Sequence, residues 1–195
     1  PLKPENAQLV LEVKGGGWGI SDLSEDGKKL LVAEYVSAND SYLYLYDLEA
    51  KKLEPITDRK EKGVVQSAGI FSKNPDEIFY VTDRNNEFSR LAVLNLKTKK
   101  TEYLTSSIPW NVEDYDLSED KSTLAFVTNE SGINKLYILD TSTRKYMPVN
   151  LPIGLIGGVK FSNDGKSLYF SRSAADSGAD VYKMDMATRN IERWT

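Results

Sequence analysis

Apolar residues in this chain fall into short unbroken runs divided by polar turns, and the runs recur at a steady interval. The clearest marker is a serine preceded by a large apolar residue: Leu23-Ser24, Phe71-Ser72, Leu117-Ser118 and Phe161-Ser162, at intervals of 48, 46 and 44 residues. A turn follows each serine, reading Glu25-Asp26-Gly27, Lys73-Asn74-Pro75-Asp76, Glu119-Asp120-Lys121 and Asn163-Asp164-Gly165. Asp-Gly is among the strongest hairpin signals, because Gly reaches positive φ without steric cost and Asp tolerates that region. Six residues past each serine, at Leu30, Ile78, Leu124 and Leu168, an apolar run begins. Runs such as Ile78-Phe79-Tyr80-Val81 and Leu124-Ala125-Phe126-Val127 are continuous and rich in β-formers, as strands buried on both faces are.

A third strand is predicted after a polar loop, over 42–48, 91–96, 135–139 and 181–184. Each ends in an acid or its amide: Asp47, Asn95, Asp140 and Asp185, 22 or 23 residues after its serine. A position that recurs once per unit points to a structural task, the capping of turn N–H groups, rather than to a metal ring. A fourth strand then ends in Thr or Asn, at Thr57, Thr105, Asn150 and Thr195. No window sustains a 3.6-residue apolar period, so a repeat of about 45 residues describes a four-stranded unit rather than a helical pair. Such units arranged around an axis make a β-propeller, in which each blade buries its faces against its neighbours. The predicted fold is all-β: one propeller segment, 1–195, of four four-stranded antiparallel blades over about 15–57, 63–105, 110–150 and 155–195.

The first strand of each blade should line the central channel. Glycines gather there (Gly15, Gly16, Gly17 and Gly19, then Gly69, then Gly154, Gly157 and Gly158), as expected where blades crowd together. Upstream, Leu9-Val10-Leu11-Glu12-Val13 reads as an orphan outer strand, about 8–14, without a blade of its own. It looks left over from a preceding blade, which implies a piece of a larger propeller. An open array of this kind would present apolar faces on its two end blades, and self-association of two copies is expected to cover them.

Composition removes several chemistries. The 195 residues include no Cys and no His. Disulfides, thiolate nucleophiles, the usual general base and the commonest metal ligand are thereby excluded, and no cofactor is implied. No Gly-x-Ser-x-Gly elbow occurs, so the chain is not expected to be an enzyme by itself. A net charge of −4 and only short basic runs speak against nucleic acid. No apolar run is long enough to span a bilayer. Pro1 reads as a cut end, which leaves a trimmed targeting segment open; the compartment stays undecided between bacterial cytoplasm and periplasm.

Three local features carry candidate chemistry. Gly15-Gly16-Gly17-Trp18-Gly19 invites a phosphate-loop reading but is followed by a strand and hairpin, not the helix N-terminus such loops need. Glu113-Asp114-Tyr115-Asp116 is a compact acidic cluster; it lacks the spacing of a calcium loop and reads as a solvated or channel-facing strand start. Trp18, Trp110 and Trp194 read as loop or blade-edge anchors. The candidate channel-lining residues are Trp18, Trp110 and Glu113, and no catalytic, cofactor or metal residue is nominated.

With the blades laid out, the unit Leu/Phe-Ser-x-Asp-Gly-Lys-x-Leu resembles the propeller repeat of TolB-like proteins and of the prolyl oligopeptidase family. Four longer stretches resemble the N-terminal propeller of bacterial prolyl oligopeptidase-like serine peptidases: Glu12 to Trp18, Ser107-Ile108-Pro109-Trp110, Phe126 to Glu130, and Arg193-Trp194-Thr195. That resemblance implies a seven- or eight-bladed parent propeller covering a separate α/β-hydrolase domain, gating or holding peptide substrates beside it. None of the family's triad residues has a counterpart here. The alternative is a TolB-like periplasmic propeller that binds proteins. A propeller lyase acting on sugars is a remote third reading, since those sites generally rely on histidine.

Overall fold

The computed structural model describes residues 7–175 and 177–195, so Pro1 lies outside the described residues. The described residues form four antiparallel sheets, each a simple meander. The first is β1 (Trp18–Leu23), β2 (Lys29–Ser37), β3 (Asp40–Asp47) and β4 (Lys52–Pro55); the second is β5 (Gln66–Phe71), β6 (Glu77–Thr82), β7 (Arg90–Asn95) and β8 (Thr101–Tyr103). The third is β9 (Val112–Leu117), β10 (Thr123–Glu130), β11 (Ile133–Asp140) and β12 (Lys145–Pro148); the fourth is β13 (Leu155–Phe161), β14 (Ser167–Ala174), β15 (Ser177–Asp185) and β16 (Ile191–Arg193).

The marker serines build the first turn of each blade. Ser24 Oγ donates to Asp26 Oδ1 at 2.6 Å and accepts the Lys29 N–H at 2.9 Å. Ser118 with Asp120 and Ser162 with Asp164 repeat this arrangement. In the second blade, where Pro75 enters the turn, Ser72 Oγ donates to the Asn74 carbonyl instead. The acids ending the third strands do cap turns: Oδ1 of Asp47, Asn95, Asp140 and Asp185 each accepts two successive backbone N–H groups two and three residues on. Thr57, Thr105 and Thr195 follow the fourth strands of the first, second and fourth blades and accept N–H groups of Leu43, Leu91 and Val181 through Oγ1, tying the outer end of those three blades to the third strand.

Strand alternation sends the two faces of each sheet to different neighbours. Ile78, Tyr80, Ala92 and Leu94 face back to Leu31 and Leu43 of the first blade, while Phe79, Val81, Leu91 and Val93 face forward to Leu124, Phe126 and Leu139 of the third. Ala125, Val127, Leu136 and Ile138 meet Leu168, Phe170 and Met184 of the fourth. Burying such strands on both faces is the main source of stability, and it makes each blade depend on its neighbours.

One expectation is corrected and another is met in part. Residues 8–14 form no strand. A strand needs a free neighbouring edge to complete its ladder; this segment lies against a sheet face instead, with the Tyr46 hydroxyl donating to the Val10 carbonyl at 2.7 Å and Leu11 packed on the apolar cluster. The apolar end faces expected are covered in part, with Ile20 and Leu23 still exposed on the outward face of the first blade. Leu30, Val32, Tyr42, Tyr44 and Tyr46 of the first blade are buried, with Leu11 and Trp18 packed against them. The forward face of the fourth blade mixes Ser171 and Lys183, which pairs with Glu192, with Val181, Tyr169 and the exposed Leu155 and Trp194, the last packed on Tyr169.

Candidate functional site

The strongest polar constellations in the fold lie at the joints between blades. At one end of each joint, the start of a third strand is latched to the following inner strand. Ser41 Oγ donates to the Gln66 carbonyl and accepts the Gln66 N–H at 2.9 Å, and the Ser41 N–H bonds the Val64 carbonyl. Asn111 Oδ1 accepts the Ser89 N–H at 2.8 Å while the Ser89 carbonyl accepts the Val112 N–H. Asn134 Oδ1 accepts the Ile156 N–H at 3.0 Å, and its own N–H reaches the Gly154 carbonyl. Ser41, Ser89 and Asn134 stand 16 or 17 residues after their marker serines, a recurrence that was readable in the sequence but goes unnoticed without the contact it makes.

Farther along the inner strands, carboxylates clasp the next blade. Asp22 Oδ2 accepts the Phe71 N–H at 2.8 Å, and Asp116 Oδ2 accepts the Phe161 N–H at 2.7 Å. Asp114 Oδ2 takes the Val159 N–H at 3.1 Å. At the middle joint a phenol does this work: the Tyr115 hydroxyl bonds the carbonyls of Ala68 and Phe79. Burial, reinforced by the charges of Asp22 and Asp116, pushes that phenol well above its ordinary pKa, so it stays a donor. Three of the four members of the cluster Glu113 to Asp116 thus bond the neighbouring blade, beyond the solvated or channel-facing strand start expected from sequence.

A register break in every inner strand opens the backbone for these clasps: between Ile20 and Asp22, Ser67 and Ile70, Asp114 and Val112, and Gly157 and Lys160. Bulges of this sort re-aim side chains. Glu113 is the bulged residue of β9; it is exposed and accepts the Asn134 Nδ2 at 2.9 Å.

The three residues nominated from sequence stand apart from one another in role. Trp18 packs at a tilt against Tyr44 with ring centroids 5.0 Å apart and donates through Nε1 to the Lys14 carbonyl. Trp110 packs on the apolar cluster between the second and third blades, 6.2 Å from Phe88. The glycine run ahead of Trp18 leads into β1 and not into a helix. Its Gly17, at φ +80°, sits so close to Tyr35 that a Cβ would fall 2.1 Å from the Tyr35 carbonyl oxygen. Among the described residues, no group of three or more potential metal-binding side chains converges.

Residues 24–178, well over half of the chain, match the family described as the dipeptidyl peptidase IV (DPP IV) N-terminal region. The chain belongs to that family. No curated protein gives a significant match. Among solved structures, a prolyl endopeptidase aligns over 99% of this DPP IV N-terminal-region chain, with a TM-score of 0.81 at 16% identity. TolB from Acinetobacter baumannii aligns over 89%, with a TM-score of 0.68 at 20% identity. A puromycin hydrolase aligns over 88%, with a TM-score of 0.71 at 14% identity. The chain spans 28%, 42% and 27% of those three proteins respectively. The family match and these neighbours show a partial β-propeller of the kind found in prolyl oligopeptidase-type peptidases and in TolB.

Proposed function

We propose that this DPP IV N-terminal-region chain is a non-catalytic propeller segment that stands beside a separate α/β-hydrolase domain and restricts or holds the peptides reaching it. The family match over residues 24–178 carries the reading. The alignment to only 28% and 27% of two hydrolytic enzymes supports it, because it leaves most of each neighbour outside this fold. The chain's own composition agrees, since it has neither His nor Cys to activate a nucleophile.

The two ends of the blades differ in a way that suggests where a partner domain sits. One end carries the serine turns and the third-to-fourth-strand turns, dense in Asp, Lys and Ser. The other exposes Tyr35, Val36, Ile153 and Leu155, with Trp110 and Glu113 close by at the start of β9. Exposed apolar surface rimmed by polar groups favours a protein partner. Trp110 and Glu113 are the nominated residues a peptide would meet there, whereas Trp18 is occupied by Tyr44.

The test is peptide-length discrimination by the full gene product. Cleavage of short peptides with sparing of folded proteins, and loss of that discrimination when residues 1–195 are removed, is expected. A gene that ends at Thr195 would instead favour the TolB-like reading, protein binding without hydrolysis, to which the 20% identity with TolB lends support.

A further inference from the structure

The groove between the outer strands of adjacent blades is handled differently along the chain. The turn between third and fourth strands sets a basic residue at positive φ in every blade: Lys51, Lys99, Arg144 and Arg189. At the second joint Arg144 reaches back to Glu77 at 3.1 Å and to Glu102, so the chain's own carboxylates occupy the groove. At the first joint the corresponding Lys99 lines an open cleft of about 450 Å³ and makes no ion pair among the described residues.

The interior of that cleft departs from the repeat as well. Six residues before the marker serine stand Trp18, Val112 and Ile156 in the first, third and fourth blades, but Gln66 in the second. Gln66 lines the cleft, is 2% exposed, and its Nε2 has no hydrogen-bond partner. A buried amide donor without an acceptor is destabilising, and the other blades avoid it with an apolar side chain.

We propose that the cleft between the first and second blades is a carboxylate-binding site. Gln66 supplies a buried N–H donor, and Lys60 and Lys99 supply ammonium groups that form no ion pair among the described residues. Asp58, the one acid lining the cleft, accepts the Lys60 backbone N–H at 2.9 Å. Arg59 and Arg84 also line the cleft, but their guanidinium groups are committed to Glu34 at 2.8 Å and Glu61 at 2.6 Å. With both guanidinium forks engaged, the free donors are two ammonium groups and one amide N–H, and the apolar lining favours an anion borne on a carbon chain over inorganic phosphate. Ile56 and Leu94 give an apolar surface for the carbon chain that bears it. This site is independent of the role proposed beside a peptidase.

The experiment is calorimetric titration of the chain at low ionic strength with glutarate, with the blocked peptide acetyl-Glu-Glu-amide, and with inorganic phosphate. Saturable binding of a carboxylate is expected, weakened at least tenfold by Gln66→Leu and by Lys99→Met and unchanged by Arg189→Met. Tighter binding of the peptide assigns the site to acidic peptide segments; tighter binding of glutarate assigns it to free small acids. Gln66→Leu restores the apolar character of the other blades, so its melting temperature should equal or exceed that of the parent. No saturable binding, phosphate bound more tightly than either carboxylate, binding indifferent to Gln66→Leu, or a melting temperature lowered by it, would each overturn the proposal.

Discussion

Asp116 on the inner strand of the third blade accepts the backbone N–H of Phe161, on the inner strand of the fourth, at 2.7 Å. Its other oxygen takes Lys160 Nζ at 2.6 Å. Asp116 is 6% exposed, whereas the Lys160 side chain is 74% exposed, so the two halves of this contact are unequal. The backbone bond lies in a dry joint, where loss of the acceptor strands the Phe161 N–H. Asp116→Ala should therefore cost about 2–3 kcal/mol. Lys160→Ala removes a solvent-screened ion pair and should cost less than about 1 kcal/mol. Urea unfolding of both variants checks this; equal losses would mean that the ion pair, not the backbone clasp, holds the joint.

What the sequence discloses and what it hides divide along the same boundary. The serines, the Asp and Asn caps at Asp47, Asn95, Asp140 and Asp185, and the apolar runs act within one blade, over spans of a few residues or one strand pair, and the period exposes them. The joints act between residues such as Ser41 and Gln66, or Asp22 and Phe71, which belong to successive units. Nothing in local spacing says that a short acid on an inner strand faces a neighbouring backbone rather than water, which is why Asp114 and Asp116 read as solvated or channel-facing. The segment at 8–14 misleads for a related reason: its apolar residues are real packing residues, but Leu11 packs on a face rather than pairing along an edge.

Acid should weaken the turns in a defined window. Hydrogen bonds from Ser142 and Thr143 hold the Asp140 carboxyl down at about 2, and Asp26, Asp120, Asp164 and Asp185 are lowered too by bonds from their own turns. A carboxyl whose folded pKa lies below its unfolded one stabilises the fold above the unfolded value, near 4, and loses that contribution as pH falls through the folded value. Stability should thus be flat from pH 7 to about 5 and fall between about 4 and 2. Asn95 makes the same two backbone bonds without a charge. Asp140→Asn is therefore expected to fold at neutral pH and to show a shallower decline in acid. Thermal melts across pH 2–7 measure the slope, and an unchanged slope would show that the turn carboxylates do not govern it.

Gly17 is the one residue of the glycine run that the fold constrains on both counts, conformation and space. Its φ is +80°, its carbonyl accepts the Tyr35 N–H at 2.7 Å, and an added Cβ would fall 2.1 Å from the Tyr35 oxygen. Gly17→Ala must either break that bond or shift β1 away from β2. A loss of about 2–3 kcal/mol is expected from strain and the lost pairing together. Gly16→Ala, with open space around it and no positive φ, should change stability by less than about 0.5 kcal/mol. Chemical denaturation of the pair separates a local constraint at Gly17 from a general need for flexibility in the run.

The end faces bear on association. Self-pairing through open blades needs an apolar surface free to pair; Leu30, Val32 and Tyr44 are buried with Leu11 and Trp18 against them, which leaves only the separate patches Ile20 and Leu23 at one end and Leu155 and Trp194 at the other. The chain should therefore run as a monomer in light scattering at micromolar concentration. Removing the cover is the informative change. Leu11→Asp, placed on the segment and not in the blade, should leave the four sheets folded while freeing their apolar end, so the variant should associate as concentration rises. Trp18→Ala should do the same and cost about 2 kcal/mol through the lost contact with Tyr44. If the parent chain already pairs and Leu11→Asp leaves that pairing untouched, the contact lies elsewhere, with the exposed end bearing Tyr35, Val36, Ile153 and Leu155 the first surface to test.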